Sequence, residues 1–222
     1  MCSSDLVVLG RPDSRGYRTK QHLRFHTDRC DVVVLLCVRT AKSGGLSRVV
    51  SSVAIHNEIL VRRPDLLDVL YQTYHHGRQG EQAPGEDRSY PNPIFGVRDG
   101  LFTSQYSRSY VESAQRFPEV PRITAQQNEA LDLLAALAEE LAVFMELEPG
   151  DMQLLNSHVT YHSRTEYEDH PEPGRQRLLL RLWLSVPGSR PLPDGFEVLW
   201  GRIEPGAIRG GVAPQSGWRD VL

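Results

Sequence analysis

The sequence has few cysteines, and their spacing excludes the usual cysteine-based scaffolds. Cysteine occupies three of the 222 positions, and no pair is spaced as CxxC. Three cysteines (Cys2, Cys30 and Cys37) cannot all pair within one chain, so we expect no disulfide framework and a reducing compartment. Cys30 follows Asp28 by two residues, and we interpret it as a small buried hydrophobic residue rather than as a metal ligand.

Long apolar runs are missing as well. The longest uninterrupted one is the seven residues from Val32 to Val38, whereas a membrane helix needs about 20. Residues 1–5 show neither the basic start nor the apolar stretch of a secretion signal. The sequence therefore predicts a cytoplasmic protein that has no membrane partner.

The charge shows no excess of basic residues. Lys and Arg total 25 against 28 Asp and Glu, which gives a formal net charge of −3. The basic residues are spread along the chain, so nucleic acid is not an expected partner. The chain has 222 residues, 40% of them hydrophobic, which is enough for one buried core. We therefore expect a single domain. The sequence leaves homo-oligomerisation open.

The order of the predicted elements favours a mainly β protein with flanking helices. Apolar and β-branched runs predict strands at 32–39, 47–50, 152–161 and 175–186. Because these strands are not regularly interleaved with helices, a β-sandwich or jelly roll fits better than a βαβ succession.

Helices and turns are predicted between the strands. Helical periodicity over 51–74 predicts two short helices, the second beginning at Pro64, and a further helix runs from Thr124 to about Leu147. Asp99-Gly100 between two apolar segments predicts a β-hairpin. Residues 77–93, rich in polar residues, Gly and Pro, are interpreted as a long exposed loop.

The last predicted strand has two distinct faces. With a period of two, one face carries only apolar residues and is predicted to be core: Leu178, Leu180, Leu182, Leu184 and Val186. The other face mixes Arg177 and Arg181 with Leu179 and Trp183. This mixture predicts the wall of a cavity for a small anion with an organic body.

His26 and Asp28 point to the same side of an extended chain, because residues two apart share a face. A distant histidine, His158 or His162, can complete a two-histidine, one-carboxylate set, the arrangement of non-haem Fe(II) oxygenases. His22 and His26 have the spacing of a zinc-protease pair, but Leu23 replaces the required Glu, so a hydrolase is not expected.

Several motifs occur together in one order along nearly the whole chain: Phe25–Asp28, Ser43–Ser47, Gly150-Asp151, Asn156, His162–Arg164 and Arg177–Ser185. With these motifs the chain resembles the taurine dioxygenase and clavaminate synthase-like Fe(II)/2-oxoglutarate-dependent oxygenases. The resemblance implies a double-stranded β-helix, a cupin-like jelly roll, with helices packed outside.

The resemblance also implies roles for single residues. His26, Asp28 and His162 match the iron ligands, and no further catalytic residue is implied. Ser47 and Arg177 match the residues that contact the distal carboxylate of 2-oxoglutarate. Arg181 matches an arginine that reaches the substrate in some members.

Two assignments stay less defined. A polar loop over 168–174 lengthens the gap after His162, which leaves the choice among Arg175, Arg177 and Arg181 open. Arg108, which alternates with tyrosines after the predicted hairpin, is a second candidate for the substrate site.

The resemblance implies a dioxygenase that uses Fe(II), 2-oxoglutarate and O₂ to hydroxylate or oxidatively cleave a small organic substrate, releasing succinate and CO₂. The alternative is a non-catalytic jelly-roll protein that binds a small molecule and retains the metal site. Because 25 residues precede His26, we expect the single domain, residues 1–222, to lack an N-terminal portion of the family's fold.

Overall fold

The computed structural model describes residues 19–82 and 84–211. Cys2 and the N-terminal residues 1–5 lie outside the described residues. Strands predominate, and the described elements run in this order: β1 (Leu23–His26), β2 (Val32–Arg39), β3 (Ser43–Gly44), β4 (Ser47–Ser51), α1 (Ser52–Arg62), α2 (Pro64–Leu70), β5 (Thr73–Gly77), β6 (Ser89–Pro93), β7 (Phe95–Arg98), β8 (Leu101–Ser104), α3 (Arg108–Ala114), α4 (Ala125–Glu140), β9 (Val143–Met145), β10 (Met152–Asn156), β11 (Thr160–Arg164), β12 (Tyr167–Glu168), β13 (Leu178–Leu184) and α5 (Glu197–Trp200).

Two antiparallel sheets form the centre of the fold. One has four strands in the order β1-β11-β4-β9, and the other has three in the order β10-β2-β13. A side-chain hydrogen bond joins them, because Ser47 on β4 donates to Gln153 on β10 at 3.0 Å. The prediction of a mainly β protein with flanking helices is confirmed at this level.

The predicted strand over 152–161 is in fact two strands that belong to different sheets. β10 pairs with β2, whereas β11 pairs with β1 and β4. The side-chain oxygen of Asn156 accepts a hydrogen bond from the backbone N–H of His158 at 3.0 Å. This Asx-type turn interrupts the apolar run and redirects the chain from one sheet to the other.

Two short helices follow β4, as predicted, but the helical region ends at Leu70 rather than Tyr74. Ser51 caps α1 by accepting a hydrogen bond from the backbone N–H of Ala54 at 3.2 Å. Pro64 is the first residue of α2, where its missing N–H costs nothing.

Helix α4 begins as predicted, since Thr124 and Gln127 form a reciprocal capping box. Its predicted extension to Leu147 is wrong: the helix ends at Glu140, and β9 follows and pairs with β4. Pairing with an open sheet edge prevails over helix propensity in this segment.

The segment 77–93 is only partly the loop that its composition predicts. β6 occupies its last five residues and pairs with β5. The prolines Pro91 and Pro93 lie on this two-stranded ribbon, where the missing N–H groups are tolerated. The predicted hairpin is confirmed: β7 and β8 flank Asp99 and Gly100, both of which have positive φ.

The main hydrophobic core lies between the helices and the four-stranded sheet. Helices α1, α2 and α4 pack against one another, and Leu131, Leu134 and Leu137 form a buried stripe on α4. Phe25 and Tyr161, from β1 and β11, belong to the same cluster. This packing fixes the two strands that carry His26 and His162.

The prediction that the leucine face of β13 is core is wrong for the described residues. Leu180, Leu182 and Leu184 are 48%, 60% and 39% exposed. The opposite face of the strand, which carries Arg181 and Trp183, points to Asp28 instead. The mixed face therefore borders the cleft, where Arg181 keeps 30% of its side chain exposed, and it supplies donors to the buried carboxylate. No helix in the described residues is long and apolar enough to span a membrane.

Leucines in the core and on the exposed face of β13 should contribute differently to stability. Leu134→Ala removes a fully buried side chain and should cost about 2–5 kcal/mol of unfolding free energy. Leu182→Ala makes the same chemical change at an exposed position and should cost less than ~1 kcal/mol. Urea unfolding of both variants measures the difference. An equal loss at Leu182 would mean that the leucine face is buried in the folded protein.

Candidate metal centre and neighbouring cleft

Three side chains from distant parts of the sequence meet at one place. His26, Asp28 and His162 present ligand atoms that all lie within 4.8 Å of one another. The Nε2 atoms of His26 and His162 each lie 3.8 Å from a different oxygen of Asp28. In the described part of the chain, no other group of three or more His, Cys, Asp or Glu side chains comes together in this way.

Strand pairing brings the two histidines together. His26 at the end of β1 is directly opposite His162 on β11, and their ring centroids are 4.3 Å apart. Opposed residues of an antiparallel pair project to the same face. A register shift between Leu23 and His26 adds one residue to β1, so that His26, and not its neighbour, faces His162.

The orientation of His26 is fixed by the backbone. Its Nδ1 atom lies 2.9 Å from the carbonyl oxygen of Arg24. Because a carbonyl only accepts, Nδ1 must carry the proton, and Nε2 keeps its lone pair towards Asp28. This is the outer hydrogen bond that metal-binding histidines normally make.

Two donors from β13 hold the Asp28 carboxylate. The indole N–H of Trp183 donates to one oxygen at 2.9 Å, and the Arg181 guanidinium lies 3.3 Å from both. Asp28 is only 6% exposed. A buried carboxylate without such partners would be very costly, so β13 stabilises the ionised form.

Burial and charge set the protonation states. Burial alone raises the pKa of Asp28, but the nearby His162, Arg181 and His26 outweigh it and lower the pKa below its usual value. Burial, reinforced by the charge of His26, lowers the pKa of His162 to about 3. Burial likewise lowers the pKa of His26. At neutral pH the site holds one carboxylate and two neutral imidazoles.

This donor set suits a divalent transition metal. The 3.8 Å separations between Nε2 and carboxylate oxygens are too long for hydrogen bonds, yet they allow a shared ion with bonds of about 2.1 Å. Two neutral imidazoles and a carboxylate on one side of an ion leave its other positions open. The chemistry of the residues therefore fits a metal centre.

His158, the alternative ligand, has a different partner. Its Nε2 lies 2.9 Å from Asp31, and the Arg209 guanidinium donates to the same carboxylate oxygen at 2.8 Å. The second oxygen of Asp31 accepts the backbone N–H of Val186. All three side chains are buried. This network ties the start of β2, the turn before β11 and the C-terminal segment together.

Arg177 contacts the turn at Gly45, and Ser47 follows Gly45 by two residues in the sequence. The Arg177 guanidinium is 3.4 Å from the carbonyl oxygen of Gly45, and a Cβ at position 45 would come within 3.0 Å of its Nε. Gly45 also has φ +73°, so this residue provides both the turn and the space for Arg177. Ser47 is buried at the start of β4, two residues further on.

The surroundings of Arg177 are cationic and partly dry. Burial lowers the pKa of Arg177, and it lowers that of Arg164 to about 10. Both guanidiniums lie against the ring of Tyr167, at 5.2 and 4.6 Å from its centroid. Within the described residues no carboxylate oxygen lies within 4.0 Å of the Arg177 guanidinium. Such a position attracts an anion.

A cleft of about 370 Å³ opens beside the three-residue cluster, and Arg181 and Trp183 contribute to its lining with His26 and Asp28. Arg108 lies elsewhere: it begins α3, lines a different cleft and contacts Glu112 and Asp132. A substrate role for Arg108 stays a prediction.

Sequence reasoning missed the Asp31 network and the second donor on Asp28. Asp31 follows Asp28 by three residues and stands at the start of an apolar strand, where an acidic residue is unusual. This position could have indicated that Asp31 is buried and paired. Trp183 was placed correctly in the cavity wall, but its hydrogen bond to Asp28 depends on how the two sheets face each other. Cys30 is buried, as expected, and Cys37 is buried as well.

Comparison with known sequences connects this geometry to a family. A sequence model of the family described as "Taurine catabolism dioxygenase TauD, TfdA family" matches residues 6–183. The chain is also 37% identical over 198 residues to FR-33289 synthase from Streptomyces rubellomurinus (strain ATCC 31215). That alignment covers 84% of this chain and 57% of the relative. The chain thus spans little more than half the length of this relative.

Solved structures share the fold. Asparagine oxygenase, in a complex with Fe(II), 2S,3S-3-hydroxyasparagine and succinate, superposes with a TM-score of 0.62 at 22% identity and covers 81% of this chain and 55% of its own. The non-haem iron oxygenase OrfP, in a complex with Fe and alpha-ketoglutaric acid, gives 0.55 at 17% identity, covering 75% and 50%.

The two candidate histidines can be separated by experiment. We expect His162→Ala to abolish Fe(II) binding, because it removes one of three converging ligands. His158→Gln should retain it, because Gln can still donate to Asp31. The measurement is the iron-to-protein ratio after anaerobic loading and gel filtration, with circular dichroism as the folding control. If only the His158→Gln variant lost iron while remaining folded, His158 rather than His162 would be the metal ligand.

The protonation states predict a weak pH dependence of metal binding. Two histidines with an ordinary pKa near 6.5 would lose roughly 100-fold in affinity between pH 7.5 and 5.5, because protons compete with the metal. Since burial lowers the pKa of His26 and His162, competition begins only at lower pH. Titrations with Co(II) at both pH values should therefore differ by less than ~10-fold. A full 100-fold loss would contradict neutral, buried imidazoles.

Proposed function

The chain belongs to the taurine catabolism dioxygenase TauD, TfdA family, and from this premise we propose that it is an Fe(II)- and 2-oxoglutarate-dependent dioxygenase. It hydroxylates or oxidatively cleaves a small organic substrate and releases succinate and CO₂. The observation that carries the proposal is the convergence of His26, Asp28 and His162 beside a cleft, with the partly buried cation Arg177 nearby.

The three converging residues are the proposed Fe(II) ligands. Their Nε2 atoms and carboxylate would hold the ion, and the Arg24 carbonyl and the Trp183 indole keep two of the ligands in orientation. The bound ion would activate O₂, and the oxidation of 2-oxoglutarate would provide the electrons. The protein contributes position and charge: it keeps both imidazoles neutral and the carboxylate ionised.

Arg177 and Ser47 are proposed to hold the distal carboxylate of 2-oxoglutarate. A guanidinium binds a carboxylate through two parallel hydrogen bonds, and a partly desolvated one does so more strongly. Arg177 has the required surroundings: it is partly buried, contacts a backbone carbonyl and stacks on Tyr167. Arg181 holds Asp28 and lines the cleft, so we assign it to the substrate side of the metal.

We further propose that the two central sheets are the halves of a double-stranded β-helix and that residues 1–222 belong to one domain. The sheet orders support this arrangement, because strands distant in sequence are neighbours in each sheet. The free thiols of Cys30 and Cys37 support a reducing, cytoplasmic location.

The test of this function is an anaerobic titration of the protein with Fe(II) and then 2-oxoglutarate. A weak visible metal-to-ligand charge-transfer band is expected, and O₂ should then produce succinate. Absence of the band in folded, iron-loaded protein would reject the dioxygenase and favour a binding protein that retains the metal site.

The same band measures the role of Arg177. Arg177→Ala should weaken 2-oxoglutarate binding by about 2–5 kcal/mol, or roughly 30-fold or more in Kd, because it removes the charged partner of a partly buried anion. Arg181→Ala should leave the Kd of 2-oxoglutarate nearly unchanged. Instead it should raise the KM for the substrate or uncouple 2-oxoglutarate decarboxylation from substrate oxidation.

Arg175→Ala is the matched control, since Arg175 is 61% exposed and pairs only with Glu172 at 3.9 Å. Its Kd for 2-oxoglutarate should equal that of the wild type. A larger loss for Arg181→Ala than for Arg177→Ala would reverse the two assignments.

A further inference from the structure

The cleft beside the metal centre has an uneven charge. Its lining includes four arginines but only two acidic residues, Asp28 and Glu81. Two of the arginines have a carboxylate oxygen within 3.3 Å: Arg24 pairs with Glu112 at 2.7 Å, and Arg181 lies 3.3 Å from Asp28. The other two, Arg29 and Arg78, lie together and are not used by the proposed metal and 2-oxoglutarate sites.

Arg78 is held rigidly at the wall of the cleft. Its side chain is only 9% exposed, its Nη2 donates to the carbonyl oxygen of Val198 at 3.0 Å, and its guanidinium lies 5.0 Å from the ring centroid of Tyr90. Its Nε is buried and has no hydrogen-bond partner in the described structure. The nearest carboxylate is that of Glu86, 3.7 Å away and 42% exposed.

Arg29 reaches the same place from the metal side. It directly follows Asp28 in sequence, and its Nη1 lies 3.5 Å from the carbonyl oxygen of Leu199. Val198 and Leu199 are consecutive, so the two guanidiniums are anchored on neighbouring carbonyls. In the part of the chain that the structure describes, no carboxylate oxygen lies within 4.0 Å of the Arg29 guanidinium.

Two adjacent guanidiniums repel each other, and their surroundings increase the cost. Burial lowers the pKa of Arg29, and the charge of Arg78 lowers it further. Backbone carbonyls offset only part of the cost of holding two cations in a partly dry place. An anion that bridges both would offset it more fully, through charge-assisted hydrogen bonds.

From this geometry we infer that Arg29 and Arg78 form the anchoring site for an oxyanionic group of the substrate, a phosphoryl, phosphonyl or carboxylate group. That the anion belongs to the substrate rests on the proposed function, whereas the binding of an anion to these two arginines can be tested independently of it. Arg29 and Arg78 line the same cleft as His26 and Asp28, so the anchored group would lie in the space that these two proposed metal ligands also border. The rest of the substrate then extends towards His26 and Asp28, where a C–H bond is oxidised.

The test uses metal-free protein and inorganic phosphate, acetate and tetramethylammonium as probes, by isothermal titration calorimetry at constant ionic strength. We expect phosphate or acetate to bind to the wild type and tetramethylammonium not to bind. Arg29→Gln and Arg78→Gln should each weaken anion binding at least tenfold. Arg24→Gln, which changes a paired arginine of the same cleft, should change it less than twofold. Arg177→Gln should remove only the separate anion binding at the proposed 2-oxoglutarate site.

Lysine variants separate charge from structure. Arg29→Lys and Arg78→Lys should regain part of the anion affinity, and melting temperatures identify any variant that does not fold. Stronger binding of phosphate than of acetate assigns a phosphoryl or phosphonyl substrate, and the reverse assigns a carboxylate. No anion binding to the wild type, or a loss confined to Arg177→Gln, would overturn the inference.

The proposed function is judged separately. The charge-transfer band of the Fe(II) and 2-oxoglutarate complex should persist in Arg29→Gln and Arg78→Gln, because neither residue belongs to those sites. A persistent band together with unchanged phosphate binding would reject the anion site alone. Loss of the band in the wild type, with arginine-dependent phosphate binding intact, would reject the dioxygenase and leave the anion site in place.

Discussion

The burial of the Asp28 carboxylate is the constraint on which the site depends. An ionised carboxylate that is 6% exposed requires compensation from its neighbours. Arg181 and Trp183 supply it from one sheet, and His26 and His162 stand around it from the other. The two sheets therefore meet at a charge that neither could bury alone, and β13 directs its two donors at Asp28 from the face opposite its exposed leucines.

The arginines near the site lie in three different environments. Arg181 contacts the carboxylate of Asp28 directly. Arg177 lies near the turn at Gly45, and Arg29 with Arg78 lies at the far wall of the cleft. The guanidiniums of Arg177, Arg29 and Arg78 each contact a backbone carbonyl, and in the described residues no carboxylate oxygen lies closer than 3.7 Å to any of them. Such fixation keeps a cation in place while leaving its charge available to a ligand.

The sequence predicted what depends on local pattern. The strand at 32–39, the Asp-Gly hairpin and the capped start of α4 were each specified by neighbouring residues. The proximity of His26 and Asp28 was also readable, because a two-residue spacing on an extended chain fixes a common direction. The choice of His162 rather than His158 came from the resemblance. The structure brings His162, not His158, to Asp28.

What depends on distant contacts could not be read in this way. The helical extension beyond Glu140 failed because the open edge of β4 takes up that segment. The leucine face of β13 was assigned to the core because periodicity shows that two faces differ, but not which of them turns inward. Likewise, the Arg29 and Arg78 pair is visible only after α5, some 120 residues beyond Arg78, brings two carbonyls to both of them.

The pairing of β1 with β11 has a consequence for how this site tolerates change over evolutionary time. Because His26 and His162 face each other across one ladder, a single inserted or deleted residue in either strand would turn one imidazole to the opposite side of the sheet. The extra residue already present in β1 shows that the ladder has one such offset built into it. Substitutions around the histidines change the environment of the site, but length changes in these two short strands would dismantle it.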